Sequence, residues 1–85
     1  MKRLPFPLSK LTARQFQILE LVHSDLTNDA IGGRLQLSPD TIAAHLKAVF
    51  PKLKVRSRLA AAVIFERYRE RVTRSGSNAD NAKIV

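Results

Sequence analysis

Residues 26–46 read "LTNDAIGGRLQLSPDTIAAHL", two short helical stretches around a tight turn. In the later stretch Ser38 suits the N-cap, because its hydroxyl accepts a hydrogen bond from an otherwise free backbone N–H. Pro39 suits the first helical position and Asp40 the positive end of the helix dipole. Ile42, His45, Leu46, Val49 and Phe50 recur at helical spacing and predict a buried stripe. The earlier stretch, about Asn28 to Leu35, turns Ile31 and Leu35 inward one turn apart, and Gly32 beside them would let another helix come close. Gly32 and Gly33 each cost about 1 kcal/mol relative to alanine, so something must compensate. Counted from Asn28, a small residue at 32 with apolar residues at 31, 35, 37 and 42 is the pattern of a helix-turn-helix. The turn is "LQLS", 35–38, and Gln36 is expected to be left-handed there at about 1 kcal/mol.

Outward from this unit the chain continues in helical pattern. Thr12 with Gln15 three places later makes a capping box for a first helix, about Ala13 to Ser24, whose Leu11, Ile18, Leu19 and Val22 share a face. Asp25 stops it, since Asp tolerates the left-handed conformation of a helix end. Phe16 lies off that face and is expected under Phe6 or Leu8. Pro51 removes an N–H that would have bonded the Lys47 carbonyl, which predicts a kink or an end of the third helix there. A fourth helix starts after Ser57 and runs to about Arg71. Ala61, Ile64, Phe65 and Tyr68 form its main stripe, while Leu59, Ala62 and Val63 leave a second apolar strip that so small a monomer could hardly cover. Residues 1–10, with two prolines, read as an arm or linker, 11–72 as the domain, and 73–85, polar and small, as a disordered tail.

Composition narrows the function classes. Eighty-five residues make one domain of marginal stability, with room for three or four packed helices. Fifteen Lys and Arg against seven Asp and Glu, net charge +8, point to a polyanion, nucleic acid before an acidic membrane surface. There is no cysteine, so neither a disulfide scaffold nor thiolate chemistry is available. The longest apolar run, Leu59 to Phe65, is far too short to cross a bilayer, no signal-peptide core is present, and a cytoplasmic protein is expected. Arg67, Arg69 and Arg71 alternate with Glu66 and Glu70 as a solvated helix face rather than a membrane surface. His23 and His45 stand apart without an acid cluster, so no catalytic or metal site and no cofactor is expected.

"LTARQFQILELV" at 11–22, the 26–46 stretch and "KLKVRSRLAAAV" at 52–63 resemble, in order and spacing, the DNA-binding domain of LuxR/FixJ/NarL-type transcription regulators. The resemblance spans Leu11 to Val63. Its specific elements are the Leu-Thr-x-Arg start, the Thr-Ile-x-x-His core of the third helix and the Lys-Leu-x-Val-x-Ser-Arg ending. It implies an all-α four-helix bundle without a wing, a third helix that enters the major groove, and a fourth that dimerises, to which the strip Leu59, Ala62, Val63 fits. The family usually has Glu at the place of Gln15, glycine at Asp25, Gln36 and Lys54, alanine at Gly32, and Lys or Arg at Ala43. Pro51 is also unusual.

Those departures shape the expected mechanism. The outer face of the third helix holds only Ala43, Ala44, Lys47 and Ala48, whereas base edges are read by long polar side chains. Ala43 and Ala44 are therefore expected to touch thymine methyls and Lys47 a guanine or a phosphate, with modest sequence discrimination. Affinity is expected from phosphates through Lys47, Lys52, Lys54, Arg56 and Arg58, in a stretch from Thr41 to Phe65 without acids. Ser38 and Thr41 lie at the helix start, Thr41 as a phosphate ligand; Thr27 and Asn28 cap the second helix and add a phosphate contact. His45 is either a DNA contact or a partly buried histidine bonded to backbone. Five contacts would give a log–log salt slope of about −4 to −5. The expected partner is double-stranded DNA with two-fold symmetric half-sites, bound by a homodimer through the fourth helix. The chain is either a small protein by itself or the C-terminal piece of a regulator whose signal-receiving domain precedes residue 1. Two other readings compete: a protein-interaction module that has lost its reading side chains or forms heterodimers, and a sigma-factor promoter-reading domain, against which His45 and residues 52–58 argue.

Overall fold

A computed structural model describes residues 4–84, with side chains as far as residue 72. Its helices are α1 (Ala13–His23), α2 (Asn28–Leu35), α3 (Pro39–Leu53) and α4 (Arg58–Ile84), preceded by a short 3-10 helix, Leu8–Lys10. Among the described residues there is no strand, and the all-α four-helix architecture expected from the sequence is what forms.

Each helix starts where a hydroxyl can satisfy a free N–H. The Thr12 hydroxyl accepts from Gln15 N at 3.1 Å while Gln15 Oε1 accepts from Thr12 N at 3.0 Å, completing the capping box. Thr27 accepts from Ala30 N at 3.1 Å, Ser38 from Thr41 N at 3.1 Å and Ser57 from Ala60 N at 3.0 Å. The ends of the first three helices are equally uniform. Asp25, Gln36 and Lys54 carry φ of 65°, 60° and 58°. Beyond each, the next N–H reaches back to a carbonyl five residues earlier: Leu26 to Leu21, Leu37 to Gly32, Val55 to Phe50. This is the Schellman arrangement, built three times without glycine, at about 1 kcal/mol of backbone strain per site.

The tightest place in the fold is inside the turn. A Cβ on Gly32 would lie 2.3 Å from the Leu37 carbonyl oxygen, so the residue must be glycine with the turn where it stands. What comes close is therefore the turn's own backbone, not the neighbouring helix expected from the sequence. Gly33 has open space around it.

Two apolar clusters hold the bundle. Ile18, Val22, Ile31, Ile42 and Leu46 fasten the helix-turn-helix to α1. Leu8, Leu11, Leu19, Val49, Leu53, Ala61 and Phe65 join α1, α3 and α4, and Phe50 touches both groups. Leu53 explains the fate of Pro51: α3 does not end at the proline but runs on to Leu53, which is buried. Pro51 itself is exposed and lies within the last turn, where one missing hydrogen bond is outweighed by burial of a leucine, about 1.5–3 kcal/mol. The expected arm is also corrected: Leu8 is fully buried, so the segment from Leu8 folds onto the bundle. Phe16 packs on Phe65 and Tyr68 with ring centres 5.4 and 5.9 Å apart, in the Leu8 cluster, whereas Phe6 is 70% exposed. The helical backbone of α4 continues past the expected end at Arg71, with no proline to stop it. The expectation of a disordered 73–85 tail concerns residues whose side chains lie outside the described part.

Candidate nucleic-acid interface

The outer face of α3 stands open. Ala43, Ala44, Lys47 and Ala48 are all exposed, and the opposite side of the helix, Ile42, Leu46, Val49 and Leu53, is sunk in the core. At the N-terminal end of this face the Ser38 and Thr41 hydroxyls lie 2.9 Å apart, so Ser38 caps the helix while bonded to Thr41. Thr41 is half-buried, as is His45. Thr27 is exposed and occupied as the cap of α2.

The basic residues expected along a phosphate backbone divide into two groups. Lys47, Lys54 and Arg56 are exposed, and no hydrogen bond from their side chains occurs among the described residues. Lys54 is held by its left-handed backbone at the end of α3. Lys52 and Arg58 are half-buried and hydrogen-bonded within the protein. The Lys52 ammonium donates to Gln15 Oε1 at 2.8 Å, tying the end of α3 to the start of α1. Arg58 donates to Asn28 Oδ1 at 2.7 Å and also to the Leu26 carbonyl, tying the start of α4 to the loop and first turn of α2. Arg58 and Asn28 thus hold each other and fix the attitude of α2. Their places in the local sequence do not reveal this, because the bonded partners lie 30 and 32 residues apart.

The fourth helix presents Leu59 at 75% and Val63 at 42% exposure, one turn apart. Ala62, expected beside them, is half-buried and packs against the α1–α3 cluster of its own chain, so the open strip is narrower than expected. His23 is another residue whose role was not legible locally. It pairs with Glu66 and stacks near Phe65, ring centres 5.0 Å apart, clamping the end of α1 to α4. Arg34, in the last turn of α2, is an exposed cation on the helix-turn-helix itself, ahead of the acid-free stretch from Thr41 to Phe65.

A tight two-helix unit with a capped, outward-facing second helix, carried on a scaffold of two further helices, defines a helix-turn-helix domain. The family model described as bacterial regulatory proteins, luxR family, matches residues 9–65, and the chain belongs to that family. The chain is 37% identical over 59 residues to a nitrate/nitrite response regulator protein homolog of Haemophilus influenzae, covering 69% of this chain and 28% of the relative. It is 37% identical over 59 residues to the nitrate/nitrite response regulator protein NarP of Escherichia coli, covering 69% and 27%. The HTH-type transcriptional regulator AlkS of Alcanivorax borkumensis is 42% identical over 53 residues, covering 62% and 6%. The matched region is thus about a quarter of the nitrate/nitrite regulators and a small part of AlkS.

Proposed function

We propose that this chain is the duplex-DNA-binding domain of a bacterial transcription regulator, with α3 laid in the major groove. The observation that carries the reading is the open face of Ala43, Ala44 and Lys47 on a helix whose other side is locked into the core. Family membership and the similarity to named regulators support it. The methyl groups of Ala43 and Ala44 meet thymine methyls and let the helix lie deep, while Lys47 is the one long donor available to a guanine or phosphate on that face. A good bidentate base contact discriminates by about 1–3 kcal/mol, and a face with a single donor therefore reads few positions sharply.

Phosphates supply most of the affinity in this reading. Lys47, Lys54 and Arg56 reach them directly, with Lys52 at the edge of the protein and Thr41 beside the helix start. Arg58 and Asn28 act instead on one another, which lowers the slope expected from five contacts to about −3 to −4. Two copies meet through Leu59 and Val63 on α4 and place their third helices in half-sites about one helical turn apart. The response-regulator names of two relatives favour the alternative in which this chain is the C-terminal piece of a longer regulator with a signal-receiving domain before residue 1, and the protein works in the cytoplasm. The bareness of the α3 face favours a second reading, a regulator-binding module. Titrating a mixed-sequence duplex at rising salt separates the two: steep salt dependence with amide shifts at residues 41–48 supports DNA binding, and shifts confined to another surface overturn it.

A further inference from the structure

Lys52, half-buried two residues before the exposed Lys54 at the end of α3, is a cation that the fold holds in place without neutralising it, as it does Arg58. Its ammonium donates to Gln15 Oε1 at 2.8 Å, and among the described residues no carboxylate lies within ion-pairing distance of it. Gln15 is itself only 8% exposed and is fixed from the other side, since the same Oε1 accepts from Thr12 N at 3.0 Å. The acceptor is thus rigid and neutral. A glutamate in the same capping-box position would keep both hydrogen bonds, because a carboxylate oxygen also accepts from a backbone N–H. It would place a full negative charge against the ammonium. With glutamine the lysine is oriented, loses little rotamer freedom on meeting a ligand, and keeps its whole positive charge with donors to spare.

We infer that Gln15 is a positioning residue for DNA affinity: it aims Lys52 at a backbone phosphate while leaving the charge available to it. The inference rests on the DNA-binding reading above and adds to it a control of charge exerted from α1, outside the helix-turn-helix. Each phosphate neutralised contributes about −0.9 to the log–log salt slope, so one such contact weakens about 3.5-fold when salt rises fourfold.

The experiment measures binding of the full chain to a mixed-sequence duplex by fluorescence anisotropy, at a series of salt concentrations, together with the melting temperature. Gln15→Glu is expected to make the slope shallower by about 0.9 and to weaken binding several-fold at low salt, with the melting temperature unchanged or raised. Gln15→Leu removes the acceptor without adding charge, and is expected to keep the wild-type slope while weakening binding two- to fivefold. A Gln15→Glu slope equal to wild type, in a protein that melts normally, overturns the inference. So does a Gln15→Leu variant that binds as tightly as wild type. If Gln15→Glu melts lower, the Gln15→Leu comparison, read at a temperature where both proteins are folded, decides. An unaltered protein with no salt-dependent duplex binding would instead remove the DNA reading, a different failure from a slope that ignores residue 15.

Discussion

At the turn between α2 and α3 the close approach is made by backbone: the Leu37 N–H reaches the Gly32 carbonyl at 2.9 Å, and the Leu37 carbonyl fills the space a Gly32 side chain would need. Between α1 and α4 the meeting is made of rings, Phe16, Phe65, Tyr68 and His23, with the His23–Glu66 pair at the rim. The first junction joins segments adjacent in sequence and fixes an angle. The second joins segments more than forty residues apart and fills a volume. A change at the first should therefore be felt as displaced geometry, and a change at the second as lost burial.

The largest expected effect tests the second junction. Phe65→Ala empties the place shared by three aromatic neighbours and should destabilise by about 3–5 kcal/mol, a large part of what a domain of this size has. Urea unfolding should show the midpoint fall steeply; a shift of under 1 kcal/mol would mean that the rings are not what holds α4. Next comes Gly32→Ala, where the new methyl meets a carbonyl rather than a flexible side chain. Overpacking of about 1–3 kcal/mol is expected, with the amide shifts of residues 36–39 displaced, and a neutral result would mean that the turn yields freely.

Two substitutions should stabilise. Gln36→Gly relieves the left-handed strain at the end of α2 and is expected to add about 1 kcal/mol, seen as a higher melting temperature. Gly33→Ala, the smallest of the four, adds a methyl in open space within a helix and should contribute slightly under 1 kcal/mol. The opposite signs expected at Gly32 and Gly33, neighbours in one helix, are the sharpest form of the comparison. Equal signs would mean that backbone crowding does not govern the turn.

What was legible in the residues follows the same division. Thr12, Thr27, Ser38 and Ser57 were readable as caps because a cap and its N–H are three residues apart. Left-handed Asp25 and Gln36 were readable from their places at helix ends, whereas a left-handed Lys54 was not foreseen. The open face of α3 was readable from helical period alone. Of the kink or end expected at Pro51, the end falls two residues later, because the local rule for proline takes no account of a buried leucine at 53. That Lys52 and Arg58 are also bonded within the protein was not readable from charges along the chain, because their acceptors lie 37 and 30 residues away.

The chain by itself determined the four helices, their caps, the bare side of α3 and the family, since each depends on interactions spanning four or five residues or on a short ordered pattern. Only the tertiary structure decided that Leu8 is core, that Ala62 belongs to its own chain's packing, and that Lys52 and Arg58 are tethered. Those outcomes depend on which distant groups meet when the apolar stripes close, and hydrogen-bond partners are chosen by distance in space.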